Sequence, residues 1–279
     1  MLDAADFAAI EALMRMVARR HVLPGFAQLP PGEIHTKSGP LDPVTDADRR
    51  AEAALIEGLA ALLPGVAAMG EESVAADPTL LAALDTDRPI FVIDPIDGTQ
   101  NYVAGLPLFG MMIALVQQNQ VYAGLIYDPI RDDTVLAWQG GGAWLWRGGE
   151  RTRLAVAPPA PLHSMIAAVS WQYMRDPERA LVLSGLPALG QIPNFRCAAH
   201  TYRAIAMGAI HATLSRRTLP WDHAAGGLIA AEAGGVVRHP GGAAWRPNAV
   251  EGGIMVAPDA ASWQALQAAL YSPNNITMK

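Results

Sequence analysis

The chain has 279 residues, 51% of them hydrophobic, enough to bury a sizeable core as one large α/β domain or two closely joined lobes. Its net charge of −6 argues against a general nucleic-acid or membrane-surface binder, since both need basic faces. The single cysteine, Cys197, excludes an intramolecular disulfide. A cytoplasmic location is expected, because the N-terminus lacks signal-peptide features and no apolar stretch reaches the roughly 18 residues that span a bilayer.

Apolar positions Phe7, Ile10, Leu13, Met14 and Val17 recur at helical spacing and predict a helix over 3–20, with Asp3 capping its start. Pro24, Pro30, Pro31 and Pro40 break the next stretch into loop. Thr45 and Asp48 stand at capping-box spacing, with Asp in place of Glu or Gln, and predict a second helix over 45–62. The run 90–93 reads as a buried strand that delivers Asp94 at its C-terminal end. Residues 109–117 and 120–127 predict a hairpin turning at Asn119-Gln120, and further strands are expected at 135–138 and 143–146. The second half alternates, with strands expected at 165–170, 210–214, 235–237 and 254–256. Its helices are expected at 177–185, 198–208 and 223–232, and Asp259 caps a last one ending near Tyr271. A single domain over 1–279 is expected. If it is built of two lobes, a metal- and phosphate-binding part over 1–150 and a substrate-side part over 161–279 divide in the Pro-rich stretch 151–161.

Four acidic segments stand beside the ends of predicted strands or the starts of predicted helices. They are Asp42-Pro43-Val44-Thr45-Asp46-Ala47-Asp48, Gly70-Glu71-Glu72-Ser73, Asp94-Pro95-Ile96-Asp97-Gly98-Thr99 and Trp221-Asp222-His223-Ala224-Ala225-Gly226. Taken alone, an Asp after an apolar run is more often a turn or helix-cap residue than a ligand. In the third segment, though, the tight turn can point Asp94 and Asp97 to one side, and Gly98 permits an unusual backbone angle or a close ligand. Two carboxylates held so close repel each other unless one is protonated or a cation lies between them. Adding Glu71 and Asp222 favours the cation, and an all-oxygen donor set selects magnesium over zinc. Magnesium beside a phosphate-binding turn points to phosphoryl chemistry.

The motifs also match a family pattern. Ile93-Asp94-Pro95-Ile96-Asp97-Gly98-Thr99-Gln100-Asn101-Tyr102 is one signature. Pro220-Trp221-Asp222-His223-Ala224-Ala225-Gly226, with Glu232-Ala233-Gly234-Gly235 downstream, is the second. With Gly70 to Ser73, and with Asp42 to Asp48 preceded by Lys37, the chain resembles the inositol monophosphatase family over nearly its whole length. These are lithium-sensitive, magnesium-dependent phosphomonoesterases. The resemblance implies an α/β (α+β) fold, the layered α-β-α-β-α sandwich of the inositol monophosphatase/fructose-1,6-bisphosphatase type, usually a homodimer. It also implies a small-molecule phosphate ester as substrate and two to three magnesium ions per site. By position, Glu71, Asp94 and the Ile96 carbonyl would hold the first ion, and Asp94, Asp97 and Asp222 the second. Asp48 would act through water on a third ion or on the nucleophilic water, which Thr99 helps to activate. Amides near Gly98 and Thr99 would receive the phosphate. Asp48, Thr99 and Glu71 are thus the expected catalytic residues.

Substrate contacts are expected from Asp97, Gly98, Thr99, Arg196, Ser215 and Asp222. Ser215 stands seven residues before Asp222, where inositol-specific members resemble one another in having Glu. His211 replaces a common Asp, and Arg196-Cys197 replace the start of a Gly-Ser/Thr-Ala-Ala element. Asn101-Tyr102 resembles the inositol-type branch, while histidinol phosphate, a sugar bisphosphate or a 3′-phosphonucleotide are alternative substrates. A non-catalytic metabolite sensor is disfavoured, because every metal ligand and Thr99 are present. The segment 196–217 holds Arg196, Arg203, Arg216, Arg217, His200 and His211 and no acid. It reads either as a site for a second anionic group, through Arg196 or Arg203, or as a solvated helix face or cations that balance the carboxylates. Cys197 beside His200 lacks a third member for nucleophilic catalysis and reads as a small buried side chain. Trp138, Trp144, Trp146 and Trp171 read as core or interface, with Trp171 and Tyr173 alternatively at the substrate mouth.

Overall fold

The computed structural model describes residues 2–36 and 43–271. Lys37 and Asp42 of the first acidic segment lie outside the described residues. Helix α1 (Ala4–Val17) starts at a capping box in which Asp3 and Asp6 exchange side-chain and backbone hydrogen bonds. It ends earlier than expected and runs on through one wider turn, Ala18–Val22. Short strands β1 (Ile34–Thr36) and β2 (Pro43–Thr45) pair within the proline-rich stretch read as loop. The Thr45–Asp48 box opens α2 (Asp46–Leu62). Strand β3 (Ala67–Gly70) and helix α3 (Glu71–Ala76) follow, and neither has enough length to show a period in the sequence.

Strand β4 (Ile90–Asp97) is buried along its whole length and reaches four residues beyond the expected run. Helix α4 (Thr99–Val103) follows it directly. Strands β5 (Gly110–Gln117) and β6 (Gln120–Asp128) form the expected hairpin. The turn sits one residue earlier than read, at Gln118 and Asn119, with φ of 49° and 55°. Two consecutive left-handed residues make the tight turn whose twist matches the strands. Strands β7 (Asp133–Trp138), β8 (Gly142–Arg147) and β9 (Glu150–Arg153) complete a seven-stranded sheet in the order β3-β4-β5-β6-β7-β8-β9.

After a linking segment come β10 (Ala167–Ser170), α5 (Glu178–Gly185), α6 (Ala198–Ala206) and β11 (Ala212–Ser215). Helix α7 (Pro220–Glu232) begins three residues before the expected start, with Pro220 as its first residue, so Asp222 lies in its first turn. Strands β12 (Val236–Arg238) and β13 (Ile254–Ala257) join a four-stranded sheet in the order β10-β11-β13-β12. Asp259 accepts the Ser262 amide at 2.7 Å and caps α8 (Ala260–Tyr271) as expected.

Burial explains the layering. On β4 and β5, Phe91, Ile93, Met111, Ile113 and Leu115 pack with Ile10, Met14 and Leu55 of α1 and α2. The alternate residues Val92, Met112, Ala114 and Val116 pack with Ala225 and Ile229 of α7 and with Ile205 of α6. A strand buried on both faces needs a continuous apolar run, as 90–93 has. The small sheet packs its other face on α5 and α8 through Val169, Leu214, Met255, Val182 and Leu266. The result is the expected α-β-α-β-α stack. Gly124 of β6 lets α7 approach closely, because a Cβ there would stand 2.8 Å from the Ala225 backbone.

An ion network fastens α6 to the large sheet. Arg203 is 3% exposed, pairs with Asp133 and lies 3.8 Å from Asp128. Its position decides against the reading in which it meets a substrate anion: its charge is used inside the core. Arg147 also binds Asp133. Removing one partner of a buried pair strands the other charge at a cost of roughly 3–5 kcal/mol. Arg203→Ala is therefore expected to lower unfolding free energy by about 3 kcal/mol, towards the lower end because Arg147 remains. Urea denaturation measures it, and a loss below about 1 kcal/mol would contradict the buried-pair assignment.

Candidate active site

The site forms where β4 breaks its pairing. The register of β4 against β5 shifts between Asp94 and Asp97, a bulge that re-aims both side chains. The Asp94 Oδ1 atom accepts the Ile96 amide at 3.1 Å, which closes the turn. Gly98 follows with φ of 86°, and a Cβ there would lie 2.9 Å from the Leu108 carbonyl and 3.1 Å from Cys197 Cβ. Only glycine meets both demands.

Asp94, Asp97 and Asp222 each offer an oxygen within 4.8 Å of the others. Asp94 and Asp97 are buried, at 1% and 8% exposure, and no Lys, Arg or His among the described residues lies within ion-pair distance of the three. Burial pushes the Asp94 carboxyl well up, and the charges of Glu71, Asp97 and Asp222 push it further. Burial and the repulsion of Glu71 and Asp97 push Asp222 to about 8. Asp97 is raised by burial too, against hydrogen bonds from the Cys197 thiol (2.9 Å) and the Ala199 amide (2.5 Å). Among the described residues, the more distant charge of Arg217 acts on Asp222, and no cation pairs directly with the triad. Its all-oxygen chemistry fits a hard divalent cation.

These groups line one cavity of about 670 Å³. Glu71, Asp94, Ile96, Asp97, Gly98, Thr99, Arg196, Ser215 and Asp222, all expected at the site from the sequence, are brought together there. Asp48 stands apart, behind Thr99 and 2% exposed. Its Oδ2 atom accepts the Thr45 amide at 2.8 Å and the Thr45 hydroxyl at 2.5 Å. Its Oδ1 atom faces the Thr99 hydroxyl at 3.4 Å, and that hydroxyl donates to the Ile96 carbonyl at 2.9 Å. Burial pushes Asp48 up to about 7, with the Thr45 hydrogen bonds opposing.

Two supports escaped the sequence reading. Glu52, 3% exposed, accepts the Glu72 amide at 2.7 Å and the Ser73 amide at 2.8 Å, so it caps α3 and holds the helix that presents Glu71. The signal was its place on the apolar face of α2, among Ala47, Asp48, Ala51 and Leu55. Asn101 donates to the carbonyls of Leu108 at 2.7 Å and Phe195 at 2.8 Å, tying the loop before α6 to the turn after β4. Cys197 is no nucleophile: burial and the adjacent Asp97 push its thiol pKa well up, and the thiol serves as a donor. Trp171 and Tyr173 stand at the cavity mouth, whereas Trp138 and Trp146 contact Phe7 in the core.

Stability should follow this electrostatics. The triad carboxyls have folded-state pKa values above the ordinary carboxylate value of 3.8, so the metal-free folded chain binds more protons than the unfolded one. Their contribution is full below that value and is lost as pH rises through the raised ones, the upper edge set by Asp222 at about 8. Saturating magnesium chloride, as the probe cation, is expected to raise the thermal midpoint more at about pH 8 than at about pH 5. Asp94→Asn is expected to shrink that difference. Equal gains at both pH values would refute an uncompensated carboxylate cluster.

Comparison with known proteins agrees with this geometry. The inositol monophosphatase family model matches residues 4–274. Inositol monophosphatase 1 of Sus scrofa is 32% identical over 210 residues, 73% of each chain. Inositol-1-monophosphatase of Bacillus subtilis is 30% identical over 205 residues, 72% of this chain and 74% of that one. The crystal structure of the extragenic suppressor protein suhB of Bartonella henselae superposes with a TM-score of 0.79 at 26% identity, covering 97% of this chain and 100% of that one. No described helix is long and apolar enough to cross a membrane. A match over almost the whole length, with the acidic cluster at its centre, makes this chain a phosphomonoesterase of the inositol monophosphatase family.

Proposed function

We propose that the chain hydrolyses a small-molecule phosphate monoester with magnesium as its cofactor, two to three ions per site, and water as the nucleophile. The observation that carries this reading is the triad Asp94, Asp97 and Asp222, which has no cation at ion-pair distance among the described residues and opens on the same cavity as Thr99 and Glu71. Glu71, Asp94 and the Ile96 carbonyl would hold one ion, and Asp94, Asp97 and Asp222 a second. When bound, magnesium lowers the pKa of the attacking water and neutralises charge on the phosphoryl and leaving oxygens.

The chain's own groups orient the reaction. Thr99 has one hydroxyl proton, and the Ile96 carbonyl and Asp48 both compete for it. A water at Thr99 can therefore pass a proton towards Asp48, whose pKa near 7 suits a base at neutral pH. Gly98 and Thr99 line the cavity, where their amides would receive the phosphate. Water oxygen bonds to phosphorus as the ester oxygen leaves, and the products are an alcohol and inorganic phosphate. The relatives named as inositol monophosphatases support an inositol phosphate as substrate. Ser215, short and uncharged at the cavity wall, supports a different alcohol. The reading extends to a homodimer in the cytoplasm, supported by the resemblance to the family and by a single cysteine, Cys197, which fits a reducing compartment.

Phosphate release from a panel of phosphomonoesters, with and without magnesium, tests the activity. Turnover is expected only with magnesium, and Asp94→Asn is expected to abolish it while the far-ultraviolet circular dichroism stays native. Retained activity in that variant would overturn the metal assignment. Binding of magnesium without turnover of any ester would point instead to a metabolite sensor. Thr99→Ala is expected to lower kcat by about 10²- to 10⁴-fold, the usual contribution of a positioned proton acceptor or donor. A drop of less than about threefold would remove Thr99 and Asp48 from the proton path.

A further inference from the structure

The cavity separates charge by depth. Its floor carries Glu71, Asp94, Asp97 and Asp222, while Arg196 and Arg217 stand at its exposed mouth with Trp171, Tyr173 and Asn194. Of the arginines in the basic segment, Arg203 is engaged by Asp133, and Arg216 pairs with Glu178 at 2.7 Å. Arg196 and Arg217 have no carboxylate within 4.0 Å among the described residues. They are also the two of this set that reach the cavity.

Both are held on rigid backbone. The Arg196 amide donates to Asn194 Oδ1 at 3.0 Å, the preceding Phe195 carbonyl is held by Asn101, and the following Cys197 binds Asp97. Arg196 itself has φ of 50°, a left-handed conformation that disfavours any side chain beyond glycine. Strain of this kind persists where the surroundings over-determine it and clusters at ligand sites. The Arg217 carbonyl lies 3.0 Å from His223 Nε2, and His223 Nδ1 lies 2.8 Å from the buried Tyr202 hydroxyl. The hydroxyl therefore donates to Nδ1, and Nε2–H donates to the carbonyl. The Arg217 guanidinium carbon lies over the Tyr173 ring, 5.3 Å from its centroid.

The alternative use of these arginines, neutralising the acidic floor, does not survive the metal. Two divalent ions would balance the four floor carboxylates, and neither guanidinium lies within 4.0 Å of one among the described residues. On the proposed phosphatase reading, we infer that the substrate's leaving group carries a second anionic group, a phosphate or a carboxylate, which Arg196 and Arg217 hold at the cavity mouth. Arg–anion contacts of this kind are charge-assisted and geometrically specific. Ser215 fits the same picture, since the wall of the cavity between floor and rim offers a hydroxyl rather than a repelling carboxylate.

The test uses matched ester pairs with magnesium present: 2-phosphoglycerate against glycerol 2-phosphate, and fructose 1,6-bisphosphate against fructose 1-phosphate. The first pair adds a carboxylate, the second a phosphate, so the preferred pair identifies the anion. In at least one pair the wild type is expected to favour the doubly anionic ester by about tenfold or more in kcat/KM. Arg196→Gln and Arg217→Gln are each expected to bring that ratio close to one, mainly through KM, while Arg216→Gln preserves it. A wild-type ratio at or below one in both pairs, or a ratio that either cavity variant leaves unchanged, overturns the inference while the phosphatase reading stands. Turnover of none of the four esters also overturns the inference, while phosphate release across the wider phosphomonoester panel decides the phosphatase reading separately.

Discussion

Like charges held out of water are unstable neighbours, and the architecture of this protein follows from keeping three of them together, two buried and one half-buried. Asp94, Asp97 and Asp222 come from the end of one strand and the first turn of a helix some 125 residues later, by the numbering. Desolvation and mutual repulsion both work against the ionised cluster, and hydrogen bonds from the protein offset only part of that on Asp97. The remainder is the driving force for taking up cations. A site of this kind has to be enforced by rigid structure, because its own members push apart.

The enforcement comes from the middle of the sandwich. Helices α6 and α7 lie between the two sheets, and each places its first residues at the cluster. The start of α6 gives Asp97 the Cys197 thiol and the Ala199 amide, while the first turn of α7 carries Asp222 itself. On the opposite side, Asp48 is set by the N-terminal capping box of α2, and one turn further Glu52 caps α3 and so presents Glu71. One helix thus fixes the acid behind Thr99 and the helix of a metal-ligand candidate. For Glu52 and for Oδ2 of Asp48, amide and hydroxyl donors offset the cost of burial.

Floor and rim follow different rules. The floor is assembled from elements buried on both faces, where a small displacement meets close-packed neighbours such as Ala225 against Gly124. The rim is built from exposed residues on loops, Trp171, Tyr173, Arg196 and Arg217, and loops on a rigid frame are where specificity varies. The chain therefore keeps family chemistry at depth while presenting its own charges at the surface. Cys197 and Arg196 mark the border: the thiol still donates to Asp97, as a hydroxyl at that place would, while its neighbour turns a guanidinium outward.

Much of this was legible in the sequence because the signals are local. The capping boxes at Asp3 and Thr45, the apolar run before Asp94, the Gly98 turn and the hairpin near Asn119 each depend on neighbours a few residues apart. The acidic segments and their order were enough to name the family and its chemistry. The rest depended on contacts that no local pattern encodes. Strand β3 and helix α3 are too short to show a period, and they form because β4 and Glu52 are there to receive them. The extension of β4 to Asp97 needs a partner strand that tolerates a bulge. Arg203 and Arg217 are alike in sequence, each a basic residue before an acidic motif. Only the folded chain sets Arg203 against Asp133 in the core and Arg217 over Tyr173 at the mouth, because ion pairing over 70 residues is a property of packing rather than of spacing.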